Sequence, residues 1–136
     1  EAKQIADIVE PVFRGLDREQ IVVLYFDTKM KPIGMEIVAI GGTKACIVET
    51  SNIFKGAIAA NATAIAMVHN HPSGSISPSK QDFYMTNQMA MAGELLGIPL
   101  VDHLILGRED FYSFKKEHPG VRLSEVEQIP RKSCED

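Results

Sequence analysis

Along the chain the spacing of apolar residues changes several times, and each change predicts an element. Ile5, Val9, Val12 and Phe13 recur at helical spacing, so the chain opens on an amphipathic helix, which Pro11 is expected to kink or restart. IVVLYF (21–26) is a continuous β-branched and aromatic run, the pattern of a buried strand. A turn over 27–32 leads to IGMEIVAI (33–40) and KACIV (44–48), two further strands joined around Gly41-Gly42. Thr50, Ser51 or Asn52 can cap a helix with Ile53, Phe54, Ala57 and Ile58 on one face. AIAMV (64–68) is another fully apolar strand, and the loop 70–78 is rich in proline, serine and glycine. A longer helix is predicted over about 78–96, with Ser77 as cap and Pro78 in the first helical position. Met85, Met89, Ala92 and Leu96 form its core stripe, and Gly97 ends it. Residues 98–107 and 110–114 read as a strand pair. Polarity rises from Lys115 onward, so 1–123 is expected to be a single domain and 124–136 a loosely held polar tail. The order α β β β α β α β β implies an α/β domain with a mixed β-sheet flanked by helices.

Composition narrows the function classes. The 136 residues suit one domain, and 45% hydrophobic residues can fill a core. A net charge of −4 argues against this domain, by itself, gripping nucleic acid, which calls for a basic face. No apolar run is long enough to span a membrane, and the first residues lack the layout of a signal peptide. Cys46 and Cys134 are far apart and neither belongs to a C-x-x-C pair, which excludes a cysteine-based zinc site and fits a reducing, cytoplasmic setting. The chain opens on Glu1 rather than Met, which leaves room for a further N-terminal domain.

The candidate chemistry lies in AMVHNHPSGSISPSKQD (66–82). On an extended chain His69 and His71 point to the same side, with Cα atoms roughly 6.5–7 Å apart. Their imidazoles can therefore converge on one divalent ion. Asp82, one turn into the following helix, can supply a third ligand, where a carboxylate also suits the positive end of the helix dipole. His69, His71 and Asp82 plus one water would give a four-coordinate zinc site with an open position, the catalytic type. The plainer alternative is two hydrogen-bonded or surface histidines and a helix-start charge. For a bare H-x-H both readings stay open.

The full string His69-Asn70-His71-Pro72…Ser79…Asp82 resembles the core motif of the JAB/JAMM (MPN+) zinc metalloprotease family. HNHPSG followed by P-S-x-x-D resembles its bacterial RadC-like branch, as do LYFDT (24–28), FKGAIAANATAIAMVHNHPSG (54–74) and VDHLILG (101–107). The resemblance spans most of residues 1–115. It implies a cytidine-deaminase-like JAB/MPN domain, zinc ligands at His69, His71 and Asp82, and Ser79 as an oxyanion donor. It also requires an upstream glutamate as general acid and base. Asn70 stands where the eukaryotic deubiquitinating members have Ser or Thr, which argues against a ubiquitin-like substrate.

Among the upstream glutamates, Glu36 lies inside a strand apolar on both faces. Such a strand is expected to be central, so Glu36 is expected to be partly buried, with a raised pKa suited to proton transfer near neutrality. Glu49, closing the next predicted strand, is the rival. Glu1, Glu10 and Glu19 are expected to be solvated around the first helix. Ser79 with Asp82 can also form a capping box, which does not conflict with oxyanion donation. His103 reads as a core histidine or one supporting the ligands, and His118 as a turn residue. The implied activity is zinc-dependent hydrolysis of an amide bond in an unidentified peptide or protein, with Glu36 moving the proton. A zinc deaminase needs H-x-E and P-C-x-x-C, and the chain has neither. The remaining alternative is a non-catalytic metal-binding module of a DNA-repair-associated protein.

Overall fold

A computed structural model describes residues 1–40 and 49–128. Its elements are α1 (Ala2–Phe13), β1 (Gln20–Phe26), β2 (Pro32–Ile40), α2 (Thr50–Ala59), β3 (Ala64–Asn70), α3 (Lys80–Leu96), β4 (Leu100–Leu106), β5 (Phe111–Ser113), α4 (Phe114–Glu117) and a 3-10 helix (Leu123–Gln128). The strands form one sheet in the order β2-β1-β3-β4-β5. β3 and β4 run parallel, joined through α3; the other neighbours are antiparallel. The protein is thus an α/β domain with a mixed sheet. The predicted strand 44–48 lies outside the described residues.

The apolar pattern explains which strands lie inside. β1 and β3 are buried at every position, because each has strands on both sides and helices on both faces. One face carries Ile21, Val23, Tyr25, Ile65 and Met67 against Ile53, Phe54 and Ala57 of α2 and Met89 and Ala90 of α3. The other carries Val22, Leu24, Ala66, Val68 and Leu104 against Ile5, Val9 and Phe13 of α1. Each fully buried aliphatic side chain contributes about 1.5–3 kcal/mol. A third cluster, Phe83, Ile105, Phe114 and Val126, seals the sheet end beside α3.

Several expectations are corrected. α1 runs unbroken through Pro11, which falls in its last turn. Among the described residues β2 pairs only with β1 and stands last in the sheet order they form. Glu36 is exposed rather than partly buried, and so are Ile33, Met35 and Ile37 on the strand's other face. α2 starts behind Glu49, and Ile58 is exposed. On α3 the core stripe stops short of Leu96, which is exposed. Residues 124–128 are no loose tail: Ser124 donates to Glu94 at 2.8 Å, and Val126 is fully buried.

Candidate metal centre

β3 delivers His69 at its C-terminal end, with His71 one residue beyond the strand. The parallel β3–α3–β4 crossover brings the N-terminus of α3 to the same sheet end, the usual place for a site in an α/β sheet. Ser79 caps α3: its Oγ accepts from the Asp82 N–H at 3.0 Å, and Asp82 Oδ2 accepts from the Ser79 N–H at 2.9 Å. This reciprocal pair fixes the Asp82 carboxylate, which is buried, beside the histidines.

Three side chains converge there. His69 Nε2 and His71 Nε2 are 3.2 Å apart. Asp82 Oδ1 lies 3.1 Å from the first and Oδ2 2.9 Å from the second. Each ring is held from behind. His71 Nδ1 donates to the Ser75 carbonyl at 3.0 Å, and His69 Nδ1 lies 2.9 Å from His103 Nε2. Burial alone would raise the Asp82 pKa, but hydrogen bonds from His69 and His71 hold it below the ordinary carboxylate range. The same contact with Asp82 raises His71, against the opposing effect of its burial.

The glutamate facing this cluster is Glu19. Its carboxylate and ring nitrogens of His69 and His71 lie within 4.8 Å of one another, a grouping that could hold a metal ion. Glu19 is half-buried, not solvated as expected. The register accounts for it. Ile21 pairs with His69 in antiparallel β1 and β3, so two residues back along one chain and two onward along the other set Glu19 opposite His71. Asn70, pointing to the opposite side from the histidines, locks this arrangement. Its Oδ1 accepts from the Gln20 N–H at 2.8 Å and its Nδ2 donates to the Arg18 carbonyl at 3.0 Å, gripping the backbone on both sides of Glu19.

Glu36 is placed elsewhere. It shares the sheet face of Val23, and its Oε1 accepts from the Tyr25 hydroxyl at 2.5 Å. Tyr25 pairs with Ile65, four residues before His69 on β3. Glu49 is exposed at the head of α2. Ser79 is exposed beside Asp82. Burial pushes the His103 pKa well below its ordinary value. His118 is no simple turn residue: its Nε2 lies 2.9 Å from the Tyr112 hydroxyl, and its ring packs on Phe83 and Phe114. A crevice of about 390 Å³ adjoins His71, lined in part by Phe13, Arg14, Asn70, Pro72 and Arg108.

A mixed α/β sheet with two histidines at the end of a central strand and an aspartate at the following helix start defines a JAMM-type, metalloenzyme-like domain. A family model described as "RadC-like JAB domain" matches residues 1–120, and the chain belongs to that family. It is similar to a UPF0758 protein of Thermotoga maritima, 41% identical over 75% of this chain and 46% of that one. A UPF0758 protein of Methanosarcina mazei is 38% identical over 85% of this chain and 50% of that one. For the one from Carboxydothermus hydrogenoformans the figures are 46%, 74% and 44%. The chain spans about half the length of these curated relatives.

Proposed function

We propose that the domain is a zinc-dependent amide hydrolase of the metallopeptidase type, acting on a peptide or protein. The carrying observation is the triangle of His69 Nε2, His71 Nε2 and the Asp82 carboxylate, with edges of 3.2, 3.1 and 2.9 Å. Bonds of about 2.0–2.1 Å to a tetrahedral zinc ion set donor atoms roughly 3.3 Å apart, so these three fit one ion with little movement. Two nitrogens and one oxygen are also a donor set that zinc accepts, and the carboxylate below its ordinary pKa is ready to bind.

His69, His71 and Asp82 would hold the ion. Bound there, zinc supplies a Lewis acid that polarises an amide carbonyl and makes water acidic near neutrality. The chain's own residues do the rest. Glu19, in place of Glu36, takes a proton from the attacking water and returns it to the leaving nitrogen. Ser79 accepts from the Asp82 N–H through a lone pair, which leaves its own O–H free to donate to the oxyanion. The crevice beside His71 offers a flanking groove for the substrate chain.

The test combines metal content with turnover. Purified protein should carry about one zinc per chain, and H71A and D82A should lose it. E19Q should keep the zinc and lose hydrolysis of a peptide library, whereas E36Q should keep both. Zinc retained in H71A, or turnover retained in E19Q, would falsify the corresponding assignment.

A further inference from the structure

His103 is fully buried on β4 and takes no part in the chemistry above. Its ring has two polar neighbours. Nε2 lies 2.9 Å from His69 Nδ1, and Nδ1 lies 2.5 Å from Thr86 Oγ1. Thr86 is fully buried as well, and its hydroxyl donates to the Asp82 carbonyl at 2.8 Å, one turn earlier on α3. A carbonyl can only accept, so that bond commits the single Thr86 O–H proton. With its proton in that bond, Thr86 Oγ1 accepts, and the proton opposite it sits on His103 Nδ1. A neutral imidazole carries one N–H, and among the described residues no carboxylate bonds this ring to support a charge. His103 Nε2 is then a bare lone pair that accepts from His69 Nδ1–H. With an ion bound, His69 then keeps Nε2 bare toward it, where otherwise a proton on Nε2 bonds Asp82. Phe114 stacks on the His103 ring, centroids 4.8 Å apart and planes 12° from parallel, and fixes its plane.

The geometry points to His103 and Thr86 as positioning residues that hold His69 in the tautomer whose Nε2 lone pair faces the metal centre. The bonds run from His69 to His103, to the Thr86 hydroxyl and to the backbone of Asp82, whose carboxylate faces His69 Nε2 at 3.1 Å. Two proposed ligands on different elements are thus tied together through residues that bind no metal. The inference rests on the metal-centre reading of His69, His71 and Asp82. It adds one requirement that reading lacks: His103 must carry its proton on Nδ1, the less common form of a free histidine side chain.

Nitrogen-15 NMR of the zinc-loaded protein, with labelled histidines, reads that proton directly. A neutral His103 protonated on Nδ1 is the expected result; protonation on Nε2 overturns the proposal. Zinc affinity, measured against a chromophoric chelator, gives a second readout. H103F keeps the ring stack but offers His69 no acceptor, and the affinity should fall about 10- to 100-fold, the usual effect of removing such a support. H103Q restores an acceptor for His69 and a donor for Thr86, and should recover most of the loss. T86V keeps the shape, removes the partner of His103 Nδ1, and should weaken zinc in the same direction. If H103F folds, by thermal unfolding, and binds zinc as tightly as the unmodified protein, the relay is wrong while the metal site stands. If the unmodified protein takes up no zinc, the metal site itself is wrong. If H103F does not fold, the tautomer measurement and T86V decide the matter.

Discussion

Asp102 shows at one position what burial demands of a charged group. Its carboxylate is buried on β4 and takes three donors: the His103 N–H at 2.7 Å, the Lys115 N–H at 3.0 Å and the Ser113 hydroxyl at 2.6 Å. Burial outweighs these bonds and raises its pKa. A raised pKa in the folded state means that the stabilisation is complete below the unfolded value, near 4, and is lost as pH rises through the folded value. D102A leaves three donors without an acceptor and should cost about 2–4 kcal/mol in chemical denaturation. D102N keeps an oxygen for the backbone N–H groups and carries no charge, so its deficit against the unmodified protein should shrink from pH 4 to pH 8. Asn70 carries a related prediction. N70A frees the Gln20 N–H and the Arg18 carbonyl, and should speed amide exchange at Gln20 while leaving exchange in the middle of β3 unchanged. The same scale shows why the convergence of His69, His71 and Asp82 was legible in the sequence while the approach of Glu19 to them was not. The first three share one short segment, where spacing alone implies convergence. Glu19 reaches them only through the pairing of β1 with β3, and no local pattern states that register. Glu36 drew attention because its strand is apolar on both faces; apolarity alone does not bury a strand, and Glu36 is exposed.

At the scale of elements, the α3–β4 corner is set by close contact. Gly93 of α3 lies so near the following turn that an added Cβ would meet the Ile98 carbonyl oxygen at 2.5 Å and the Leu100 nitrogen at 3.3 Å. Both are backbone atoms and cannot swing aside. G93A should therefore destabilise by about 1–3 kcal/mol despite alanine's better helix propensity, seen as a lower denaturant midpoint with an unchanged slope. A corner displaced by that clash would also shift β4, and with it His103. The sequence announced α3 as an element, yet its start was expected two residues early. Ser77-Pro78 has the composition of a helix start, but the structure selects Ser79, whose hydroxyl and the Asp82 carboxylate satisfy each other's backbone N–H groups. Pro11 misled in the opposite way. Close to the end of α1 it removes one hydrogen bond without stopping the chain from completing its last turn.

For the molecule as a whole, the layers were readable because two fully apolar runs, 21–26 and 64–68, can be buried only between two helical faces. The same burial makes the candidate metal centre an element of stability. Asp82 lies against both histidines. Its lowered pKa gives stability that is present above the unfolded value, near 4, and lost as pH falls through the folded one. The raised pKa of His71 gives stability complete below its unfolded value, near 6.5, and lost as pH rises through the folded one. The contact between Asp82 and His71 is therefore at full strength between about pH 4 and 6.5 and weakens above that. Zinc acts in the other direction. It requires both imidazoles neutral and unprotonated on Nε2, so binding releases protons and tightens with pH. The rise in Tm on adding zinc to chelator-treated protein should accordingly be small at pH 5.5 and grow steadily to pH 8. D82N should abolish the rise at every pH, while E36Q should leave it intact. Calorimetry over that range checks both signs at once, because a zinc-induced shift that is flat or falls with pH would mean that His71 is not displaced from Asp82 by the ion.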